Sequence, residues 1–450
     1  MVDQFFCEPL FVGTIFNSEI LDDLCQEIGK LNATRVAQAV NLKKEETASS
    51  VYITSKVHIS GGHTAALMDL IRLTPNERSF VIVTNTCGPT DKNTVCKKIS
   101  NLTNTKIEFI PRGNHLAKLT WLQTRLMELS PTIVWLFNNH QDSVAVAAVQ
   151  PRSGYQLKYY HHGDDRLCLG ATLSYAEHFD PIPISFHNCR HNLSIANNRY
   201  LPLTTRDLGV QIKHSMSDPL SLVTCTAGGF NKIEIDYFVR YEDTVGPILE
   251  ITRGRHIHFG RLTPFALKRI KRGLLVRKIP KDCFVYIPYV QSIWKALYQY
   301  NIDLYITSFP YGGGRTLVEV MGAGIPIIIH SHACNQMIGG ADMAYSGAMV
   351  WKKPVELYAF LKNIDSKTLD EHRHLSRAWY EKFHKEEIVK HILSDVSYDA
   401  DVPEIRKYFY SDPLMRAWFI AQSTNLKGIF KRSLLRTYRQ LMSFIGRMLS

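Results

Sequence analysis

The densest concentration of groups able to do chemistry is residues 309–329, FPYGGGRTLVEVMGAGIPIII. Three consecutive glycines, Gly312, Gly313 and Gly314, lead into a run with helical spacing at 316–322. Glycine lets a backbone come close to a ligand, and the first N–H groups of a helix have no internal partner, so such a turn can receive a phosphate. Arg315 adds a guanidinium at the same mouth. The loop fits neither the dinucleotide fingerprint nor the ATP P-loop, since no Gly-Lys-Ser/Thr follows the glycines. The competing reading is a tight turn with no ligand.

A second set of groups is rich in imidazole. Gly61-Gly62-His63-Thr64, Asn138-Asn139-His140 and His161-His162-Gly163-Asp164-Asp165 each follow an apolar, β-rich run. Histidine, like a buried aspartate, can exchange a proton near neutral pH. Asp164, Asp165, His162 and His63 are each also readable as idle loop residues. His187-Asn188-Cys189-Arg190-His191 invites a zinc reading, but no second pair stands at ligand spacing, and no metal site is expected.

Positioning these groups takes a regular alternation. β-rich runs at 51–59, 80–84, 106–110, 132–137 and 156–160 alternate with helical spacing at 65–73, 91–100, 116–129 and 144–149. That pattern predicts a parallel, doubly wound sheet, whose ligands gather beyond the carboxyl ends of its strands. All three imidazole groups fall at such ends. The alternation resumes at Arg255, with strands expected at 256–259, 284–287, 304–307 and 327–329. Before it, residues 19–30 and 35–44 read as two leader helices, and Pro247 reads as the crossing between halves.

A chain of 450 residues is too long for one core. Its 45% apolar and 21% charged content excludes a disordered or fibrous chain. Lys and Arg outnumber Asp and Glu 53 to 41, and the resulting +12 favours anionic partners. Nucleic acid is the least favoured of these, because the basic residues concentrate at 268–278 and in the tail without an aromatic RNA-binding motif. Beyond Asp412 no acidic residue occurs, while Arg416, Lys427, Lys431, Arg432, Arg436, Arg439 and Arg447 do. Phe430, Leu434, Tyr438, Leu441 and Ile445 recur there at helical spacing, as in a basic amphipathic helix lying on an anionic membrane. No apolar run is long enough to span a bilayer, no signal peptide is evident, and the nine cysteines are scattered. The expected location is cytoplasmic, peripheral on the inner face of the cell membrane.

The run 318–326, VEVMGAGIP, behind the glycine loop, together with Phe259-Gly260-Arg261-Leu262, resembles the donor-site motif of GT-B glycosyltransferases. The likeness covers roughly residues 51–395. In the large retaining family a glutamate opens the loop and a second follows eight positions on; here Glu319 matches the second, and Tyr311 stands at the first. The O-linked N-acetylglucosamine transferases likewise combine a Gly/Thr loop, an acid at the Glu319 position and Ala-Gly-x-Pro.

The resemblance implies two Rossmann-like α/β domains facing across a cleft: a leader (1–50), an acceptor domain (51–250), a nucleotide-sugar donor domain (251–400) and basic C-terminal helices (401–450). It implies a UDP- or GDP-sugar donor whose diphosphate is held by the backbone of 312–316, with Thr316 at the helix start. Arg261 and Lys268 would neutralise the leaving group without a metal, and Asp164 or Asp165 with His162, then His63, would take the proton of the acceptor hydroxyl. Glu319 would accept ribose hydroxyls, though a capping role is the plainer alternative. The implied acceptor is a glycan or lipid-linked glycan of cell-surface polysaccharide synthesis, with a protein hydroxyl next. A sugar-nucleotide epimerase and a non-catalytic binding module on the same fold are the rival functions.

Overall fold

The computed structural model describes residues 12–39, 48–58, 61–74, 78–88, 90–99, 102–162, 165–210, 221–395 and 397–424. Helix α1 (Glu19–Ala39) precedes seven parallel strands: β1 (Ser50–Thr54), β2 (Ser79–Val83), β3 (Thr105–Phe109), β4 (Ile133–Phe137), β5 (Gln156–Tyr160), β6 (Glu177–Asp180) and β7 (Arg199–Tyr200). They form one sheet ordered β3-β2-β1-β4-β5-β6-β7. Ile53 of β1 lies opposite Ile82 on one side and Leu136 on the other. Parallel neighbours need crossover helices that cover both faces, and β1 and β2 are accordingly buried along their whole length. The crossovers are α2 (Gly62–Leu73), α3 (Lys92–Ile99), α4 (His115–Leu129) and α5 (Ser143–Ala148), with α6 (Pro183–His191) after β6.

The two leader helices expected at 19–30 and 35–44 are one 21-residue helix, α1. It is not a separate appendage. At Gly29 a Cβ would stand 1.9 Å from the Ala147 carbonyl oxygen, so the backbones of α1 and α5 touch. The Asp22 carboxylate, 1% exposed, accepts from the Gly170 N–H at 2.7 Å and the Thr172 hydroxyl at 2.6 Å. Burial raises its pKa, and these hydrogen bonds oppose the rise.

The second sheet is also all-parallel, ordered β10-β9-β8-β11-β12-β13. Its strands are β8 (Val223–Ala227), β9 (Arg255–Phe259), β10 (Phe284–Ile287), β11 (Leu304–Ile306), β12 (Ile327–His330) and β13 (Met349–Trp351). The helices between them are α7 (Phe230–Ile233), α8 (Tyr241–Thr252), α9 (Pro264–Val276), α10 (Ile293–Gln299), α11 (Gly314–Gly322) and α12 (Gln336–Gly339). Four more follow: α13 (Pro354–Asn363), α14 (Ser366–Phe383), α15 (Glu386–Ser394) and α16 (Asp412–Thr424).

This moves the domain boundary. The compact units divide between Leu201 and Pro202, not near residue 250. The physical reason is β8, which hydrogen-bonds between β9 and β11 at the centre of the second sheet. Pro247 is not a crossing but lies inside α8. The expected basic helix beyond residue 424 lies outside the described residues.

The second unit buries several imidazoles. The Tyr241 hydroxyl sits 2.9 Å from both His256 Nε2 and His258 Nδ1, and His384 Nδ1 lies 2.8 Å from the Leu203 carbonyl. Burial pushes His256 down to about 3, and His258 and His384 to about 4. Folded values below the ordinary 6.5 mean that the unfolded chain takes up protons first as pH falls. The stabilisation is therefore complete above pH 6.5 and is lost as pH drops from 6.5 toward 4. At about 1.4 kcal/mol per pKa unit, the melting midpoint should fall by roughly 10 °C or more between pH 7 and 5. A flat midpoint over that range, followed by calorimetry, would contradict it.

Candidate functional site

The order of the second sheet reverses between β8 and β11, and a doubly wound fold opens a ligand crevice at the carboxyl ends of such strands. After β8 come Gly228, Gly229 and the single turn α7, which carries Lys232. After β11 comes the glycine loop, then α11. The two loops meet. The Lys232 ammonium donates to the Gly312 carbonyl at 2.9 Å and lies 3.5 Å from where a Cβ on Gly313 would be. Helix α11 has Gly313 as its N-cap, with no side chain capping it, and its first backbone bond runs from Leu317 N–H to the Gly313 carbonyl. The N–H groups that open α11, such as those of Gly314 and Thr316, therefore have no bond within the helix. Their dipoles and a neighbouring ammonium together make a place for an anion. Burial lowers the pKa of Lys232, since desolvation disfavours its charged form.

The three glycines differ in role. A Cβ on Gly312 would stand 2.3 Å from the Gly339 carbonyl oxygen, so this glycine is required by the fold. Gly313 and Gly314 have more room, with nearest neighbours at 3.4 and 3.2 Å.

Arg261 follows β9, which neighbours β8 in the sheet. It is exposed, and its carbonyl accepts the Phe230 N–H at 2.7 Å, which puts it beside the β8 loop. Lys268 is exposed on α9. Arg315 turns elsewhere: its guanidinium donates to the Thr204 carbonyl at 3.0 Å and to the Thr205 hydroxyl at 3.3 Å. Glu319 accepts from the Trp294 N–H at 3.0 Å, capping α10, and its other oxygen lies 4.0 Å from Arg315 Nε. Capping is thus one task the geometry gives Glu319. The ring of Tyr311 faces Trp418 of α16, with centroids 6.5 Å apart.

In the first unit the three imidazole loops do converge. His63, in the first turn of α2, stacks on His162 with ring centroids 4.1 Å apart, and His140 lies 6.1 Å from His162. The expectation of near-neutral bases fails here. Burial pushes His162 down to about 4 and His140 to about 3, and it takes His63 well below its ordinary value. For His63 and His140 the next cause is the positive form of His162. These rings are neutral at pH 7, able to accept a proton but weakly basic. Burial raises the pKa of Asp165, yet its two-point pairing with Arg166 at 3.1 and 3.0 Å outweighs this and holds it below the ordinary range. Asp164 lies outside the described residues.

Two contributors were absent from the sequence-level list. Asp142, fully buried, accepts from Ser55 Oγ and Thr84 Oγ1, both at 2.6 Å, and caps α5 through the Ala145 N–H. It braces the loops after β1, β2 and β4. Lys232 was missed because residues 51–250 were all assigned to the first half, whereas the strand before it belongs to the second sheet.

No family model matches the chain, and no curated protein matches it by sequence. Solved structures do. HepE of Anabaena in complex with UDP matches with a TM-score of 0.59 at 11% identity, over 77% of this chain and 99% of that one. A glycosyltransferase from Rickettsia africae gives 0.55 at 11% identity, over 77% and 99%. The lipopolysaccharide outer core galactosyltransferase WaaB gives 0.53 at 16% identity, over 76% and 96%. At such identities the likeness is one of fold. With two all-parallel doubly wound sheets and these structural relatives, the chain has the GT-B glycosyltransferase fold.

Proposed function

We propose that the chain is a glycosyltransferase that moves a sugar from a UDP- or GDP-sugar to a hydroxyl acceptor. The observation that carries this is the meeting of Lys232 with the uncapped start of α11, at the switch point of a sheet in a GT-B fold. Cleaving the sugar–phosphate bond leaves the electron pair on the diphosphate, and fixed N–H dipoles with an ammonium stabilise that developing charge. Arg261 adds a second cation, with Lys268 further along α9, so the leaving group needs no metal. The complex of HepE with UDP supports a nucleotide donor.

For the base that takes the acceptor proton we favour Asp164 or Asp165 with His162, then His63; both rings are neutral at pH 7, and their depressed pKa values make each a weak base on its own. The acceptor class we favour is a glycan or lipid-linked glycan of cell-surface polysaccharide, with a protein hydroxyl second. The basic composition of residues 413–450 supports a cytoplasmic enzyme that touches an anionic membrane. Among the described residues no helix is long and apolar enough to cross one.

The test is release of nucleotide diphosphate, with and without acceptors, across a panel of UDP- and GDP-sugars. Arg261→Ala should weaken donor binding about 10-fold, and Glu319→Ala should weaken it where the ribose is engaged. If both bind every nucleotide as tightly as the parent, the site assignment is wrong. Interconversion of a donor alone would instead identify an epimerase. Calorimetry showing no nucleotide affinity would identify a binding module, to which Tyr311 is suited.

A further inference from the structure

We infer that His161, His178, Asp180 and Cys189 form a buried site for a divalent metal of the zinc class in the first unit. His161 follows β5, His178 and Asp180 share one face of β6, and Cys189 comes from α6. All four are buried, with relative exposures of 1, 3, 0 and 0%. One ligand atom from each lies within 4.8 Å of every other. The separations are 2.9 Å for His161 Nδ1 to Asp180 Oδ1, 3.3 Å for His178 Nε2 to Asp180 Oδ1, and 3.4 Å for Cys189 Sγ to each of His161 Nδ1 and Asp180 Oδ1. Tetrahedral zinc, with bonds of about 2.0–2.3 Å, sets its ligands roughly 3.3–3.6 Å apart. Of the six edges of such a tetrahedron three already have that length, one must open by a few tenths of an ångström, and the two from His178 to His161 and to Cys189 are no longer than 4.8 Å.

The chemistry of the set agrees. Two imidazole nitrogens, a thiolate and a carboxylate oxygen are the ligand types zinc takes. A dication with one thiolate and one carboxylate is neutral overall, which suits a site without solvent. Asn198 Nδ2 donates to Asp180 Oδ2 at 2.7 Å and so orients the carboxylate from behind. With four protein ligands the site is closed, so the metal is structural; it ties β5, β6 and α6 together beneath the loop that carries His162. The sequence hid this. Of His187-x-Cys189-x-His191 only Cys189 turns inward, while His187 and His191 stack on each other at 5.8 Å.

The experiment uses the full chain, purified after expression with zinc and analysed by mass spectrometry for metal. About one zinc per chain is expected, released with uptake of a proton by the thiolate when a chelator is added. Exchange for cobalt(II) should give a near-ultraviolet thiolate-to-cobalt band and the intense visible bands of a tetrahedral ion. Cys189→Ser should remove the ultraviolet band, and Asp180→Asn should lower the metal content about 10-fold or more. Folded parent protein that takes up neither zinc nor cobalt overturns the site, as does a thiolate band that survives in Cys189→Ser. If the variants fail to fold, the cobalt spectrum of the parent chain still decides.

Discussion

Lys232→Ala is expected to lower kcat/KM for the sugar donor by about 10²–10³-fold, or roughly 3–4 kcal/mol of transition-state stabilisation. Its ammonium is partly buried, 2.9 Å from the Gly312 carbonyl, beside N–H groups that no helix bond claims. In such a place a charge acts with little screening by water. It matters most when the diphosphate leaves, so kcat should fall more than KM rises. Lys232→Arg should not restore the rate, because a planar fork cannot replace a compact ammonium in that space. The same lysine also tethers the glycine loop, so the melting midpoint must be followed in parallel. An unchanged midpoint with lost turnover assigns the effect to chemistry, whereas full turnover in Lys232→Ala removes the residue from the site.

Gly29→Ala should destabilise the first unit by about 3 kcal/mol, although alanine favours a helix over glycine by about 1 kcal/mol. The new methyl would sit 1.9 Å from the Ala147 carbonyl oxygen and 2.8 Å from its carbon, both backbone atoms that cannot step aside. Helix α1 would have to lift. That would strain the bonds from Gln26 Nε2 to the Val146 carbonyl at 2.8 Å, from Asn32 Nδ2 to Gln123 Oε1 at 2.8 Å, and from Gln123 Nε2 to the Gly29 carbonyl at 2.9 Å. A fall of roughly 6–12 °C in the first unit's midpoint follows for a unit of this size. Lys30→Ala, on the exposed side, is the control and should be near neutral. Equal midpoints for Gly29→Ala and the parent would show that the helix is not seated as described.

What the sequence made legible follows from what signals it can carry. Short apolar runs alternating with helical spacing specify parallel strands buried on both faces, and both sheets could be anticipated from that pattern. The glycine loop was legible because its backbone demands are written in residue type. Strand β8 was placed in the wrong half because its partners, β9, β11 and the Ile306 carbonyl that accepts from Thr226 Oγ1 at 2.9 Å, lie far along the chain. Helix α1 inverts the usual rule. Ile20, Leu24, Ile28 and Leu31 are 80, 55, 46 and 64% exposed, while Asp22 and Gly29 face the unit, so its apolar stripe points the wrong way for prediction. Imidazole pKa values were out of reach for another reason: types and spacing place His63 and His162 at strand ends, but only the packed structure shows how far they are from water. Arg315 and Glu319 were named as ligand groups, yet their bonds to Thr204 and Trp294 depend on elements far away in sequence.

The seat of α1 also sets an order of events on the ribosome. The helix is complete at Ala39, but α4 and α5, against which it packs, end only at Leu129 and Ala148. At synthesis rates of about 5–20 residues per second, roughly a hundred residues take some 5–20 seconds. Over that interval both the helix and β1, whose second neighbour β4 is also unmade, await partners. Until then the nascent first unit exposes the faces those partners will cover. A helix made early in the unit's synthesis is among the last pieces of its layer to be seated.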